Sequence, residues 1–279
     1  RIAMTVTPSL AAMLSDELLQ KRYSREIHKL IELAEREVQR TAGDAALNAV
    51  AIHYRDRFQH LRFVYEEQLG CQVLEGFKRL QDRGVLEIIT CAATHGFLPI
   101  MQRNPEAVRA QVKVGVDEYK RHFGRQPLGI WLPECGYYPG VEKILAENGI
   151  RWFIVDTHGV THAEPRPVHG PYAPVYTQVG PAAFARDHQS SKQVWSSEEG
   201  YPGDYDYREF YRDVGYDLDL DYVRDYVQPN GLRKNTGIKY HRITGTGDHK
   251  EIYDRRQAME KAASHAANFV FNREQQVSW

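Results

Sequence analysis

The sequence predicts an α/β fold with parallel strands, a (β/α) barrel or a doubly wound sheet. Three observations carry this. Short β-rich runs alternate with amphipathic stretches of helical spacing, and parallel neighbours need such crossovers between them. No internal repeat or low-complexity tract breaks the alternation. With 279 residues, 42% hydrophobic and 26% charged, the chain is large enough for one barrel-type domain or two smaller ones.

The elements follow in order. Ile2 to Thr7 reads as a short buried strand that Pro8 stops. Ile27, Leu30, Ile31, Ala34 and Val38 fall at helical spacing, as do Leu47, Val50, Ala51, Tyr54, Phe58 and Leu61, giving two long amphipathic helices. A third covers about Val73 to Leu80 and stops at Gly84, before the β-branched run Val85 to Thr90. Asn104-Pro105 supplies a cap and a first-turn proline for a helix through Val112, Val116, Tyr119 and Phe123, which Gly124 ends. Leu128 to Trp131 is the next strand, Val141, Ile144 and Leu145 mark a short helix, and Arg151 to Val155 is a strand again. From Asp156 to Asp217 the periodicity fades while aromatics accumulate, which predicts an ordered, ligand-facing loop region. A last helix runs from about Asp254 to Asn268.

Charge and cysteine content exclude several classes. The 36 basic residues balance 37 acidic ones without a long Lys/Arg block, so neither a nucleic acid nor a membrane surface is an expected partner. No apolar run approaches the ~18 residues of a membrane helix, and a cytoplasmic protein is the default expectation. Cys71, Cys91 and Cys135 show no CxxC spacing. The start at Arg1 without Met and the apolar run near Trp279 read as cut ends of a longer protein.

Chemistry concentrates where strands end, since the carboxyl ends of parallel strands form the active-site face of such folds. One strand runs into Thr94-His95-Gly96-Phe97-Leu98-Pro99, a second into Trp131-Leu132-Pro133-Glu134-Cys135-Gly136, a third into Asp156-Thr157-His158. Glu134, between Pro133 and Cys135, is expected to be enclosed, and an enclosed carboxylate needs a partner or a chemical role, either catalysis or a bond to a neighbouring loop. His95 is an acid or ligand, or bonds a local carbonyl. Asp156 and His158 read as caps of the next turn. Trp131 and Trp195 serve packing or binding. His158 and His162 flank Gly159 in an expected loop, so no metal scaffold and no cofactor are predicted; HExxH, GxSxG and a phosphate-binding glycine loop are absent.

Several motifs taken together resemble glycoside hydrolase family 57, and within it the 1,4-α-glucan branching enzymes. They are Ala93 to Pro99, Trp131 to Tyr137, Val194-Trp195-Ser196, Gly200-Tyr201-Pro202-Gly203, Tyr207 to Asp213, Lys239 to Gly245 and His265 to Phe269, in the family's order over nearly the whole chain. The resemblance implies a retaining enzyme on an incomplete seven-stranded (β/α) barrel with helical insertions and a long aromatic loop region. It implies Glu134 as nucleophile, with His95, Trp131, Trp195, Tyr201, Tyr240 and His241 as substrate-binding residues. An aromatic residue is usual where His241 stands. The family's His-x-His-x-Pro strand and its acid/base Asp are not found in this sequence.

On this reading residues 1–279 are a partial catalytic domain. Residues 1–156 form the strand/helix core, 157–217 the aromatic cleft region with a mobile loop from Trp195 to Tyr207, and 218–279 a barrel continuation with the C-terminal helix. An α-glucan is expected as both substrate and acceptor, and the full-length protein is expected to be a monomer. Amylase or 4-α-glucanotransferase action, a non-catalytic glucan-binding module and, distantly, a metal-dependent deacetylase are the alternatives.

Overall fold

Residues 2–228, 230–245 and 247–278 are described by a computed structural model. In chain order the elements are β1 (Ile2–Thr5), α1 (Pro8–Ser15), α2 (Glu17–Arg40), α3 (Ala45–Arg62), α4 (Val73–Asp82), β2 (Leu86–Cys91), α5 (Leu98–Met101), α6 (Pro105–Phe123), β3 (Gly129–Trp131), α7 (Val141–Glu147), β4 (Trp152–Val155), α8 (Thr157–Thr161), β5 (Val175–Tyr176), β6 (Ala182–Ala185), α9 (His188–Trp195), α10 (Val214–Asp217), α11 (Leu220–Val223) and α12 (Arg255–Val277). They divide into two units, one of Arg1–Gln20 with Leu69–His188, the other of Lys21–Gln68 with Gln189–Trp279. Among the described residues no helix is long and apolar enough to cross a membrane.

The first unit holds a six-stranded sheet in the order β1-β2-β3-β4-β6-β5. Every pairing is parallel except β5 with β6. The predicted α/β class with parallel strands is therefore correct. Registers Cys91↔Trp131 and Trp131↔Ile154 bring the carboxyl ends of β2, β3 and β4 to one level. Ile88, Ile130 and Phe153 are fully buried in these strands. Over them lies α6, whose Val108, Val112, Val116, Tyr119 and Phe123 form one apolar stripe. Burying each such side chain stabilises by about 1.5–3 kcal/mol. The sequence signals for α6 act as expected: the Asn104 side chain accepts from the Ala107 N–H, and Gly124 closes the helix at φ 69°.

In the second unit Ile27, Leu33 and Ala34 of α2 pack with Val50, Ala51, Tyr54 and Phe58 of α3 and with Val223, Tyr226, Ile238 and Tyr240. Glu37 sits on this buried face of α2 at 0% exposure. It accepts from Arg40 Nε at 2.8 Å and Nη2 at 2.6 Å, and from the Tyr240 hydroxyl at 2.7 Å.

Several expectations need correction. β1 is an edge strand with Ile2 71% exposed, not a buried one, because it pairs with β2 alone. Pro8, read as a strand stop, also opens α1, with Thr7 as the N-cap accepting from the Leu10 N–H. The aperiodic stretch 157–217 contains β6, whose Ala-Ala-Phe-Ala sequence has little strand signature yet pairs with β4 along its length. The described residues of 218–278 add no strand to the sheet; their apolar residues face α2 and α3 instead. α12 runs on to Val277, past the expected end at Asn268, because nothing in Phe269 to Gln276 breaks a helix.

Candidate active site

The turns that follow β2 and β3 build the polar rim of the first unit. After β2 the chain turns at Ala92, whose carbonyl accepts from the His95 N–H at 3.2 Å, and His95 adopts the left-handed conformation at φ 59°. After β3, Leu132 stays buried and Pro133-Glu134-Cys135 form a tight turn with Glu134 at φ 54° and Cys135 at φ 55°. Non-glycine residues held there cost of order 1–3 kcal/mol each and recur at functional sites. The turn is closed by the Cys135 N–H to the Leu132 carbonyl at 2.8 Å and the Gly136 N–H to the Pro133 carbonyl at 3.0 Å. At Gly136 a Cβ would stand 2.3 Å from the Phe97 ring, so a side chain there would displace that ring.

The consequence is a carboxylate thrown outward between two buried neighbours. The Glu134 side chain is 76% exposed, so the expected enclosure is wrong: the left-handed turn directs Pro133 and Cys135 inward and Glu134 away from the core. His95 Nε2 lies 3.2 Å from Glu134 Oε1, and His95 Nδ1 lies 3.2 Å from Cys91 Sγ. Burial, and then the nearby Glu134 carboxylate, push the Cys91 thiol up to about 11 against the Ala92 N–H; burial also raises the Cys135 thiol. Trp131, half-buried at the end of β3, has the Arg186 guanidinium 5.9 Å from its ring centre. Asp156 caps α8 through the Thr157 N–H, as expected.

The remaining predicted residues belong to the second unit. Trp195 ends α9 and is 81% exposed. Tyr201 is held rather than loose: its ring stacks on His265 at 4.4 Å and its hydroxyl donates to Asn268 at 2.7 Å, both on α12. The loop also needs Gly203, since a Cβ there would meet the Ser197 carbonyl at 1.8 Å. Tyr240 is no sugar platform, because its ring is buried and its hydroxyl is committed to Glu37. His241 bridges Arg212 and the Lys250 carbonyl at 3.2 Å each, and burial followed by the Arg212 charge lowers its pKa. In the first unit, His158 and His162 are carried by helix α8 and its C-cap rather than by a loop, with rings 6.4 Å apart. No group of three or more His, Cys, Asp or Glu side chains placed to hold a metal ion occurs among the described residues.

Glu134 lines none of three described cavities. One of about 810 Å³ lies at Leu128, Trp152 and Ala182, the amino ends of β3, β4 and β6, opposite the rim. The others, of about 460 and 580 Å³, belong to the second unit, around His53 with Arg242 and around Tyr207 with Phe210. Sequence reading did not single out Cys91, whose thiol stands beside His95; the signal was the four-residue spacing between them across a strand end.

Parallel strands presenting an imidazole and a carboxylate on strained turns at their carboxyl ends define a class, an α/β protein with a candidate site at the carboxyl ends of its strands. The chain belongs to glycosyl hydrolase family 57, whose pattern matches residues 4–276, so the resemblance read from the motifs is correct. It is 48% identical to the alpha-amylase AmyC of Thermotoga maritima, with a TM-score of 0.96 over 99% of this chain and 54% of that one. A GH57-type branching enzyme from Pyrococcus horikoshii is 32% identical, with a TM-score of 0.80 over 96% of this chain and 48% of that one. The 1,4-alpha-glucan branching enzyme TK1436 of Thermococcus kodakarensis is 33% identical over 96% of this chain and 41% of its own length. The chain thus spans about half the length of the relatives it matches.

Proposed function

We propose that the protein is an α-glucan-active transglycosidase with Glu134 as nucleophile, and that it transfers a cleaved chain to a 6-hydroxyl to form an α-1,6 branch. The carrying observation is the Glu134 carboxylate, held on a strained strand-end turn with His95 3.2 Å away. In a retaining mechanism a Glu134 oxygen bonds the anomeric carbon as the glycosidic bond breaks, and the leaving 4-hydroxyl takes a proton from a second carboxyl group. An acceptor 6-hydroxyl then displaces Glu134 and returns its proton to that second group. The family's acid/base Asp motif is not found in residues 1–279, so these residues alone are expected to leave amylose unchanged by iodine staining. Exposed Trp195 supplies a face for a glucose ring, and transfer requires that acceptor outcompete water.

Hydrolysis of α-1,4 bonds is the second reading, favoured by the 48% identity to an alpha-amylase structure. Linkage analysis of amylose treated with the full-length protein separates them: new α-1,6 signals support branching, and linear short products overturn it. Glu134→Gln removes either activity while glucan binding persists; turnover retained in that variant rejects the nucleophile assignment.

A further inference from the structure

The buried thiol at the end of β2 has a geometry that the nucleophile reading leaves unused. We propose that Cys91 is a positioning residue for Glu134: its S–H donates to His95 Nδ1, fixing the imidazole proton on Nε2, from which it is donated to the Glu134 carboxylate. The functional part of this inference rests on the reading of Glu134 as nucleophile; the tautomer does not.

The line of contacts is continuous, with Cys91 Sγ to His95 Nδ1 at 3.2 Å and His95 Nε2 to Glu134 Oε1 at 3.2 Å. Its direction follows from what each atom has to offer. Cys91 is fully buried, so its neutral thiol is favoured. The thiol hydrogen then needs an acceptor, and Nδ1 is placed to provide a lone pair. The opposite tautomer would aim the Nε2 lone pair at the lone pairs of an exposed carboxylate. Two acceptors facing each other at that distance repel, whereas Nε2–H to the carboxylate is a charge-assisted bond.

The support behind this line is built into the fold. Gly115 of α6 has no side chain, and a Cβ there would stand 2.3 Å from the Cys91 carbonyl, so the helix backbone seats against the end of β2. Gln111 of the same helix clamps the turn, its Oε1 accepting from the Thr94 N–H at 3.0 Å and its Nε2 donating to Thr94 Oγ1 at 2.8 Å. Cys91 and His95 are thereby fixed from one helix. A rotated or mis-protonated imidazole would let the Glu134 carboxylate swing in solvent, which its exposure permits.

The test uses protein labelled with ¹⁵N-histidine, His95 being assigned through His95→Gln, together with kinetics of the full-length enzyme. The nitrogen shifts of neutral His95 should report the Nε2–H form in the wild type and in Cys91→Ser, which keeps a donor. Cys91→Val, which keeps most of the volume without a donor, should give a mixture of tautomers. Its kcat should fall about 10-fold with KM unchanged, the loss expected when one hydrogen bond to a charged group is misdirected, and Cys91→Ser should recover most of it. An Nδ1–H form in the wild type, or an unaltered tautomer with full activity in Cys91→Val, overturns the proposal. The wild-type shifts alone decide the direction if the valine variant fails to fold. Turnover retained by Glu134→Gln would instead refute the nucleophile reading and leave the tautomer result standing.

Discussion

Glu134 and Glu37 are two carboxylates in opposite circumstances. Glu37 sits on a regular helix, fully buried, with Arg40 and Tyr240 occupying its oxygens. Glu134 sits on a left-handed turn, exposed, with His95 as its hydrogen-bonding neighbour. A carboxylate whose bonds are all internal holds structure together. One that is exposed on a strained backbone, with oxygen capacity to spare, is available to react with something outside the chain.

Exchanging the roles experimentally is the strongest way to break this contrast. In the full-length protein Glu134→Gln should lower kcat by on the order of 10⁴-fold or more, since the nucleophile proposed here would have no substitute. Its unfolding free energy should move by less than about 0.5 kcal/mol, as for other exposed positions. A large loss of stability with activity retained would turn Glu134 into a second Glu37.

Glu37→Ala should do the reverse, costing about 3 kcal/mol in urea unfolding because Arg40 and Tyr240 lose their shared partner. The lower end of the usual range applies, since the Arg40 side chain reaches solvent. pH sharpens the case. Burial works to raise the Glu37 pKa, but hydrogen bonds from Arg40 and Tyr240 outweigh it and hold the carboxyl below its ordinary value. A lowered folded value means that the contribution is complete above the unfolded pKa of about 4.3 and fades as the pH falls below it. Wild-type and Glu37→Ala stabilities should therefore converge in acid, and a gap that widens there would contradict the assignment.

Tyr240→Phe is a smaller change on the same network, expected to cost about 1.5 kcal/mol with KM for glucan unaltered. Weakened glucan binding at full stability would return Tyr240 to the substrate site. Smallest of all, Trp195→Ala should shift stability by no more than about 0.5 kcal/mol while weakening glucan binding several-fold in a titration.

The helices were legible because their signals are local. Asn104, Pro105 and Gly124 bracket α6, and its apolar stripe shows which face is buried. The strand ends and their polar residues were legible for the same reason, which is how Glu134 and His95 both stand out at one rim in the sequence. Their exposure was not, because it depends on one residue at φ 54° that no periodicity encodes. β6 was hidden by its alanines, whose strand state is imposed by β4 beside them. Tyr240 was misassigned because an aromatic near a family motif looks the same whether it faces a ligand or Glu37, and the partner lies in a helix 203 residues away.

The interior and the edge of the sheet also differ. β4 carries parallel neighbours on both sides, while β1, among the described residues, is joined to β2 alone. The outward amides of Ala3 and its neighbours therefore have water as their alternative, and deuterium should enter at β1 well before it reaches β3 or β4. A peptide strand added along that edge would slow the uptake.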